Sequence, residues 1–339
     1  MDRPRTRRLA GTELRLGTLG LGAAALAGLY DAVDGATATA TLQAAWDHGL
    51  RYIDTAPFYG YTRSERRVGE FLAGRPRDSF VLSTKVGRLM QPDPDVAPGS
   101  DGWADPLPFR PVFDYSYGGV LRSFEDSLER LGLDRIDILL VHDIGRLTHG
   151  ERHELHWQAL TAGGGFRALE ELRAQGLVRA IGLGVNEWEV AQDALAAAPI
   201  DCVLLAGRYT LLEQGSLGFL DRCTAAGAGV LIGGAFNSGL LAGQAKYNYG
   251  DVPPDVMQRA QALDAVCARF DVPLQAAALQ FPLGHPAVTS VLSGMRSPEQ
   301  VAANAAWMRH RIPNDLWLAL RDRGLIDPAT PLPTSSKEG

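Results

Sequence analysis

From Leu14 onward the chain alternates short apolar runs with amphipathic stretches, and the alternation repeats eight times. Each apolar run bounded by turn residues reads as a strand, and the stretch after it as a helix. The first unit pairs a strand at 19–21 with a helix at 39–48, the second 52–54 with 64–72, and the third 80–85 with 120–131. The fourth strand, 136–142, is nearly continuous in apolar residues, as a parallel strand covered on both faces should be. A separate helix at 166–175 precedes the fifth unit, 180–185 with 189–196. The sixth is 202–205 with 217–226, the seventh 230–232 with 255–270, and the eighth 288–292 with 297–308. No linker rich in Pro, Gly and Ser separates two halves, so the pattern predicts an α/β protein: a single-domain (β/α)8 TIM barrel over residues 1–325.

Two connections are unusually long, and in such a barrel the loops after the strands build the active-site face. Residues 87–117 hold six prolines together with Trp103, Phe109, Phe113, Tyr115 and Tyr117, which predicts a packed lid over the third strand. Residues 143–165 carry His149, His153 and His156, and read as a loop. The end of the chain, 326–339, with Pro328, Pro331, Pro333 and a polar finish, reads as a flexible tail.

Composition narrows the function. With 46% hydrophobic and 21% charged residues, the 339-residue chain can bury a full core. The balance of 33 Lys+Arg against 39 Asp+Glu gives −6, without the basic field that nucleic-acid binding needs. Cys202, Cys223 and Cys267 share no CxxC spacing, so neither a disulfide framework nor a thiolate metal site is indicated, and a reducing cytoplasm is expected. Arg3, Arg5, Arg7 and Arg8 ahead of the apolar stretch 14–30 imitate an export signal. Glu13, Arg15 and four glycines in that stretch suit a strand and a loop better than a signal helix.

Asp54, Lys85 and His142 stand at the carboxyl ends of three consecutive strands, where barrel enzymes keep their catalytic groups. Each alone also fits a structural role: a turn cap, a snorkelling amine, a core imidazole. Their coincidence, with Tyr59 in the loop Phe58-Tyr59-Gly60, points to chemistry.

Together with Tyr52-Ile53-Asp54-Thr55-Ala56-Pro57-Phe58-Tyr59-Gly60, Ser83-Thr84-Lys85, Ser127-Leu128-Glu129-Arg130-Leu131-Gly132, Val141-His142 and the segment from Gly182 to Asn186, these residues resemble the aldo-keto reductases over nearly the whole chain. The resemblance implies a nicotinamide-dependent oxidoreductase with Tyr59 exchanging the proton beside Lys85, Asp54 and His142. Hydride transfer at a carbonyl leaves an oxygen that must gain or lose a proton. A phenol has a reference pKa of ~10, and an ammonium ~4 Å away at an effective dielectric of ~20 contributes about 4 kcal/mol, or roughly three pKa units. The expectation is therefore a Tyr59 made acidic by Lys85 and partly offset by Asp54, with His142 hydrogen-bonding the reacting oxygen.

Ser297-Pro298-Glu299-Gln300 reads as a capped helix start after the eighth strand, a place where barrels bind phosphate. By resemblance the cofactor contacts there are Ser293, Gly294, Arg296, Gln300 and Asn304. Ser238, Gly239 and Leu240 match the loop beside the pyrophosphate, and Gly22, Asp54 and Asn186 match the nicotinamide end. The positions matching Gly294 and Gln300 are basic in members that prefer NADP; neither is basic here, so NAD is expected over NADP. Val185, Ala206 and Gly233 depart from the family pattern, and Phe236 and Tyr209 stay open as the ring that stacks on the nicotinamide.

The long lid and His142-Asp143-Ile144-Gly145 are most similar to a subgroup, the aldose 1-dehydrogenases and pyridoxal 4-dehydrogenase. That resemblance implies oxidation of a small cyclic hemiacetal, a sugar or pyridoxal, to its lactone. Tyr59 and His142 would meet the reacting oxygen, Asp143 and Asn237 other hydroxyls, and Trp103 of the lid the substrate ring. Three alternatives stand beside it: an NADPH-dependent aldehyde or ketone reductase, a non-catalytic cofactor sensor, and a metal-dependent hydrolase built on His149, His153 and His156. No metal site and no membrane or nucleic-acid partner is expected, and the oligomeric state stays open.

Overall fold

The computed structural model describes residues 5–248 and 250–334. Eight parallel strands close into a barrel: β1 (Leu19–Gly22), β2 (Tyr52–Asp54), β3 (Val81–Val86), β4 (Ile138–His142), β5 (Ala180–Val185), β6 (Cys202–Ala206), β7 (Gly229–Gly233) and β8 (Val288–Gly294). The last strand pairs back onto the first through Val291 opposite Leu19 and Gly294 opposite Gly22. The fold is the (β/α)8 barrel expected from the pattern, and the strand bounds differ from the sequence reading by a residue or two at the ends.

Successive side chains on a strand face opposite ways, and this sorts the core into two layers. Tyr52, Ile138, Leu140, Cys202, Leu204, Leu231 and Leu292 form one cluster that fills the barrel. Their strand neighbours Ile53, Leu139, Val203, Ile232 and Val291 belong to the larger cluster under the helices. Asp54, Lys85 and His142 share the parity of the inner set, so they form the top layer of the interior. Gly20 makes room for that filling: a Cβ there would lie 2.8 Å from both Leu292 Cδ2 and Tyr52 Cδ1.

An N-terminal hairpin, Thr6–Arg8 with Arg15–Gly17, was not anticipated. It adds Leu9, Leu14 and Leu16 to the inner cluster, and Arg7 donates to the Val288 and Leu283 carbonyls, both at 2.8 Å. The apolar stretch that imitates an export signal is thus this hairpin's second strand, β1 and a loop. Among the described residues no helix is long and apolar enough to cross a membrane. Arg3 of the basic segment lies outside the described residues.

The lid 87–117 is built on an antiparallel hairpin, Arg88–Pro92 with Phe109–Phe113, and Met90 and Trp103 pack with Ala27 and Tyr61 beneath it. Residues 143–165 correct the loop reading. They form helices Arg146–His149 and His153–Leu160 with a 3-10 turn between, and bury His149 and His153. The flexible-tail expectation is corrected as well. Ile326 and Thr330 are buried, Arg321 donates to the Thr330 carbonyl (2.7 Å), and the Asp327 amide donates to Gln214 Oε1 (3.1 Å). Polar composition misleads here because the buried Ile326 and Thr330 and one arginine tether the segment. The rest of the expected tail, 335–339, lies outside the described residues.

Candidate active site

Lys85 points up the inside of β3 and donates to Asp54 Oδ2 at 2.8 Å and to the Thr55 carbonyl at 2.9 Å. The other Asp54 oxygen accepts from Ser83 Oγ at 2.7 Å, and Ser83 Oγ lies 3.0 Å from the Tyr52 hydroxyl. Since Ser83 spends its proton on Asp54, Tyr52 must donate to Ser83, and the carboxylate ends a buried hydrogen-bond chain. Burial works against the Lys85 charge, but Asp54 and Tyr59 outweigh it and hold the amine above its ordinary pKa. It is a fixed cation.

Its Nζ sits 4.6 Å from the centre of the Tyr59 ring. Here the structure corrects one expectation. Burial raises the Tyr59 phenol above its ordinary pKa; the Lys85 charge lowers it, Asp54 raises it again, and a hydrogen bond with Lys85 lowers it, leaving the balance upward. The ammonium is where it was expected, but desolvation disfavours the phenolate more than one paired cation favours it. In the free protein Tyr59 keeps its proton at neutral pH.

His142 meets Tyr59 edge-on, with ring centres 5.8 Å apart. Its pKa lies well below the ordinary value, first through burial and then through Arg88 and Lys85, so the ring is neutral. A neutral imidazole donates one hydrogen bond without adding charge. Its carbonyl accepts from the Tyr115 hydroxyl at 2.8 Å. Trp103 of the lid lies 5.8 Å from Tyr59 and 5.7 Å from Phe58, ring to ring. The four catalytic candidates and Trp103 therefore come together as one cluster.

Asp143, next in the chain, has a left-handed backbone (φ 42°). It pairs with Arg88 Nη2 at 2.6 Å and accepts from Asn186 Nδ2 at 3.2 Å. Arg88 escaped the sequence reading, because no periodicity marks a lid residue that pairs across 55 positions.

Beside this cluster a cleft of about 350 Å³ runs between the loops after β1, β5, β6, β7 and β8. Of the expected cofactor residues, Asn186, Ser238, Gly239 and Ser293 line it, as do Gly294, Arg296, Gln300 and Asn304. Gly22 ends β1 beside Gly294, and Leu240 turns into the core; neither lines the cleft. Ser293 Oγ donates to Asn304 Oδ1 (2.8 Å), and the Arg296 amide donates to Gln300 Oε1 (2.9 Å). Ser297 caps the helix Pro298–Arg309 by accepting from the Gln300 amide. Arg296 also pairs with Asp31, a residue that the sequence reading did not single out.

Asn237, expected near the substrate hydroxyls, lines this cleft instead, with Nδ2 3.4 Å from Glu213 and a buried Oδ1 that has no partner among the described residues. Its side chain follows the turn 237–238, whose backbone is left-handed at both residues. Of the two open rings, Phe236 lines the cleft, edge-on to Trp307, whereas Tyr209 stacks on Phe281 in the core. A long cleft with glycines along its wall, a buried amide oxygen awaiting a donor and an apolar ring fits a dinucleotide.

Two of the three histidines of 143–165 are otherwise engaged: His149 Nε2 is 2.9 Å from the Tyr115 hydroxyl, and His153 Nδ1 is 3.0 Å from the Ile144 carbonyl. Among the described residues no three His, Cys, Asp or Glu side chains gather as metal ligands. These contacts leave the hydrolase alternative without a geometric basis.

The fold and the site together define an oxidoreductase barrel. The aldo/keto reductase family model matches residues 18–322, and the chain belongs to that family. It is 52% identical over 334 residues to pyridoxal 4-dehydrogenase of Microbacterium luteolum, spanning 94% of this chain and 97% of that one. It is 42% identical over 327 residues to D-threo-aldose 1-dehydrogenase of a Pseudomonas species, with the same coverage. An aldo-keto reductase structure from Bacillus halodurans shares the fold with a TM-score of 0.74 at 24% identity, covering 99% of this chain and all of that one.

Proposed function

We propose that the protein oxidises a cyclic hemiacetal to its lactone with NAD. The observation that carries this is the buried Asp54–Lys85 pair beneath Tyr59, facing a neutral His142. A nicotinamide bound in the cleft would supply the hydride acceptor. Tyr59, once ionised, takes the proton from the hemiacetal hydroxyl, and the C–H bond gives up its electron pair as hydride, leaving C=O. Lys85 counters the charge on Tyr59 during that transfer, and His142 donates to the reacting oxygen without bringing a cation into the site.

Pyridoxal and aldoses, named in the two relatives, both form cyclic hemiacetals. The wall of Phe58, Tyr59 and Trp103 favours the flat ring of pyridoxal. For the cofactor, Arg296 is the one basic side chain lining the cleft among the described residues, and Asp31 pairs with it. Lys246, nearby, lies over the Tyr30 ring. A carboxylate beside the cleft's cation opposes an added phosphate, which favours NAD over NADP.

The test is a spectrophotometric screen of pyridoxal, L-fucose, L-galactose and D-arabinose with NAD and with NADP, with the product checked for lactone by mass. Reduced NAD and a lactone are expected. Equal efficiency with NADP overturns the cofactor assignment, and a product retaining the hemiacetal overturns the reaction.

A further inference from the structure

We propose that Arg88, carried on the lid hairpin, is a positioning residue: it holds the Asp143 carboxylate between His142 and Asn186, so that the seating of the lid sets both the His142 ring and the amide in the cofactor cleft. Only the kinetic arm of its test rests on the function proposed above.

Arg88 Nη2 lies 2.6 Å from Asp143 Oδ2, and its guanidinium stacks 4.1 Å from the Phe58 ring centre and 5.4 Å from that of Phe113. Its side chain is 6% exposed, so it has no solvated alternative. A planar guanidinium can stack and pair at once, which an ammonium does less well. Asp143 then reaches two ways: Oδ1 accepts from Asn186 Nδ2 at 3.2 Å, and Oδ2 is 3.5 Å from His142 Nε2. The left-handed backbone at Asp143 is disfavoured for a residue with a Cβ and persists where surroundings over-determine it. The ion pair to the lid is such a constraint.

The charges facing Asp143 are Arg88 from the lid and Lys85 from β3, with His142 beside it, Asn186 after β5 and the Tyr59 and Tyr115 phenols near by. Lys85 is committed to Asp54. Those facing Arg88 are Asp143, His142, Tyr61 and, from the helical insertion, His149, with the Tyr115 hydroxyl beside them. Without Arg88, the nearest group able to balance the buried carboxylate is His142, which would take up a proton and become Asp143's partner. Arg88 therefore keeps His142 neutral and available to a reacting oxygen.

The test follows the ring signals of His142, assigned through His142→Gln, by NMR in the unliganded full chain. In the wild type His142 is expected to stay neutral well below its ordinary titration range. Arg88→Met is expected to raise its midpoint by one pH unit or more, Arg88→Lys to restore it toward wild type, and Asp143→Asn added to Arg88→Met to abolish the rise. In the kinetic arm Arg88→Met lowers kcat for hemiacetal oxidation tenfold or more and moves the acid limb of the pH profile upward, with partial rescue by lysine. A folded Arg88→Met with unchanged His142 titration, or a lysine variant that titrates like the methionine one, overturns the proposal. If Arg88→Met does not fold, Asp143→Asn decides alone: it should lower the His142 midpoint, and no change overturns the proposal. If wild type oxidises no hemiacetal, the proposed function fails while the titration still judges Arg88.

Discussion

Gly184 on β5 lies against the stem of Lys85: a Cβ built there would stand 3.0 Å from Lys85 Cε. The ammonium's position thus depends on a missing side chain on the inner face of β5, two strands away around the barrel. Gly184→Ala should push the stem aside, loosen the 2.8 Å contact with Asp54 and remove part of the charge that favours ionised Tyr59. We expect a fall in kcat of about tenfold, the size of a lost fraction of acid–base catalysis, with nucleotide affinity nearly intact. Nucleotide fluorescence titration beside steady-state kinetics checks it; equal loss in both would place the damage elsewhere.

Tyr59→Phe removes the hydroxyl that hydrogen-bonds Lys85 and should lower kcat by about 10²- to 10⁴-fold, the range of general acid–base catalysis. Because burial raises the wild-type phenol, oxidation needs a base that is scarce at neutral pH. The oxidative rate should therefore climb with pH through the alkaline range, while the reverse reduction, which uses the protonated phenol, should not. An oxidation rate that rises with pH beside a reduction rate that does not, with the rise lost in Tyr59→Phe, is the expected result.

The barrel was legible because eight short, mainly apolar runs alternate with amphipathic stretches, and the catalytic candidates because they stand at the ends of three of those runs. The missed parts lack such a signal. The strands of the N-terminal hairpin are three residues each, and Pro92 and Pro111 break the alternation of the lid hairpin. Glycine 150 divides the helices that bury His149 and His153. Tyr115 and Arg88 act on His142 and Asp143 across 27 and 55 positions, a relation no local period encodes. The charge beside Tyr59 was readable from residue types, but its burial was a property of the assembled lid and barrel.

Asp31 is expected to hold the cofactor preference by occupying Arg296. Asp31→Ala frees the guanidinium for a 2′-phosphate and removes a like charge, so the ratio of kcat/KM for NADP over NAD should rise by about tenfold, the effect of about 1.4 kcal/mol. Arg296→Ala in that background should return the ratio toward wild type. Side-by-side kinetics with both nucleotides decides it, and an unchanged ratio in Asp31→Ala would detach the pair from cofactor choice.

His149 adds to the acid sensitivity that His142, held neutral by burial, also brings. Its pKa is lowered from 6.5 to about 4, chiefly by burial and then by His156, Arg88, His153 and Arg152. Below pH 6.5 the unfolded chain binds a proton here that the folded protein refuses until about pH 4, so stability falls with falling pH across that window. The full span corresponds to about 3 kcal/mol. His149→Phe keeps an aromatic ring against Phe113, whose centre lies 4.6 Å away, but loses the 2.9 Å contact to Tyr115. The variant should be less stable by about 1 kcal/mol at pH 8, where it lacks that hydrogen bond. On acidification it should lose less stability than wild type, so that the two urea-unfolding curves converge and then cross. Parallel loss of stability in both proteins between pH 6.5 and 4 would mean that other groups set the acid limit.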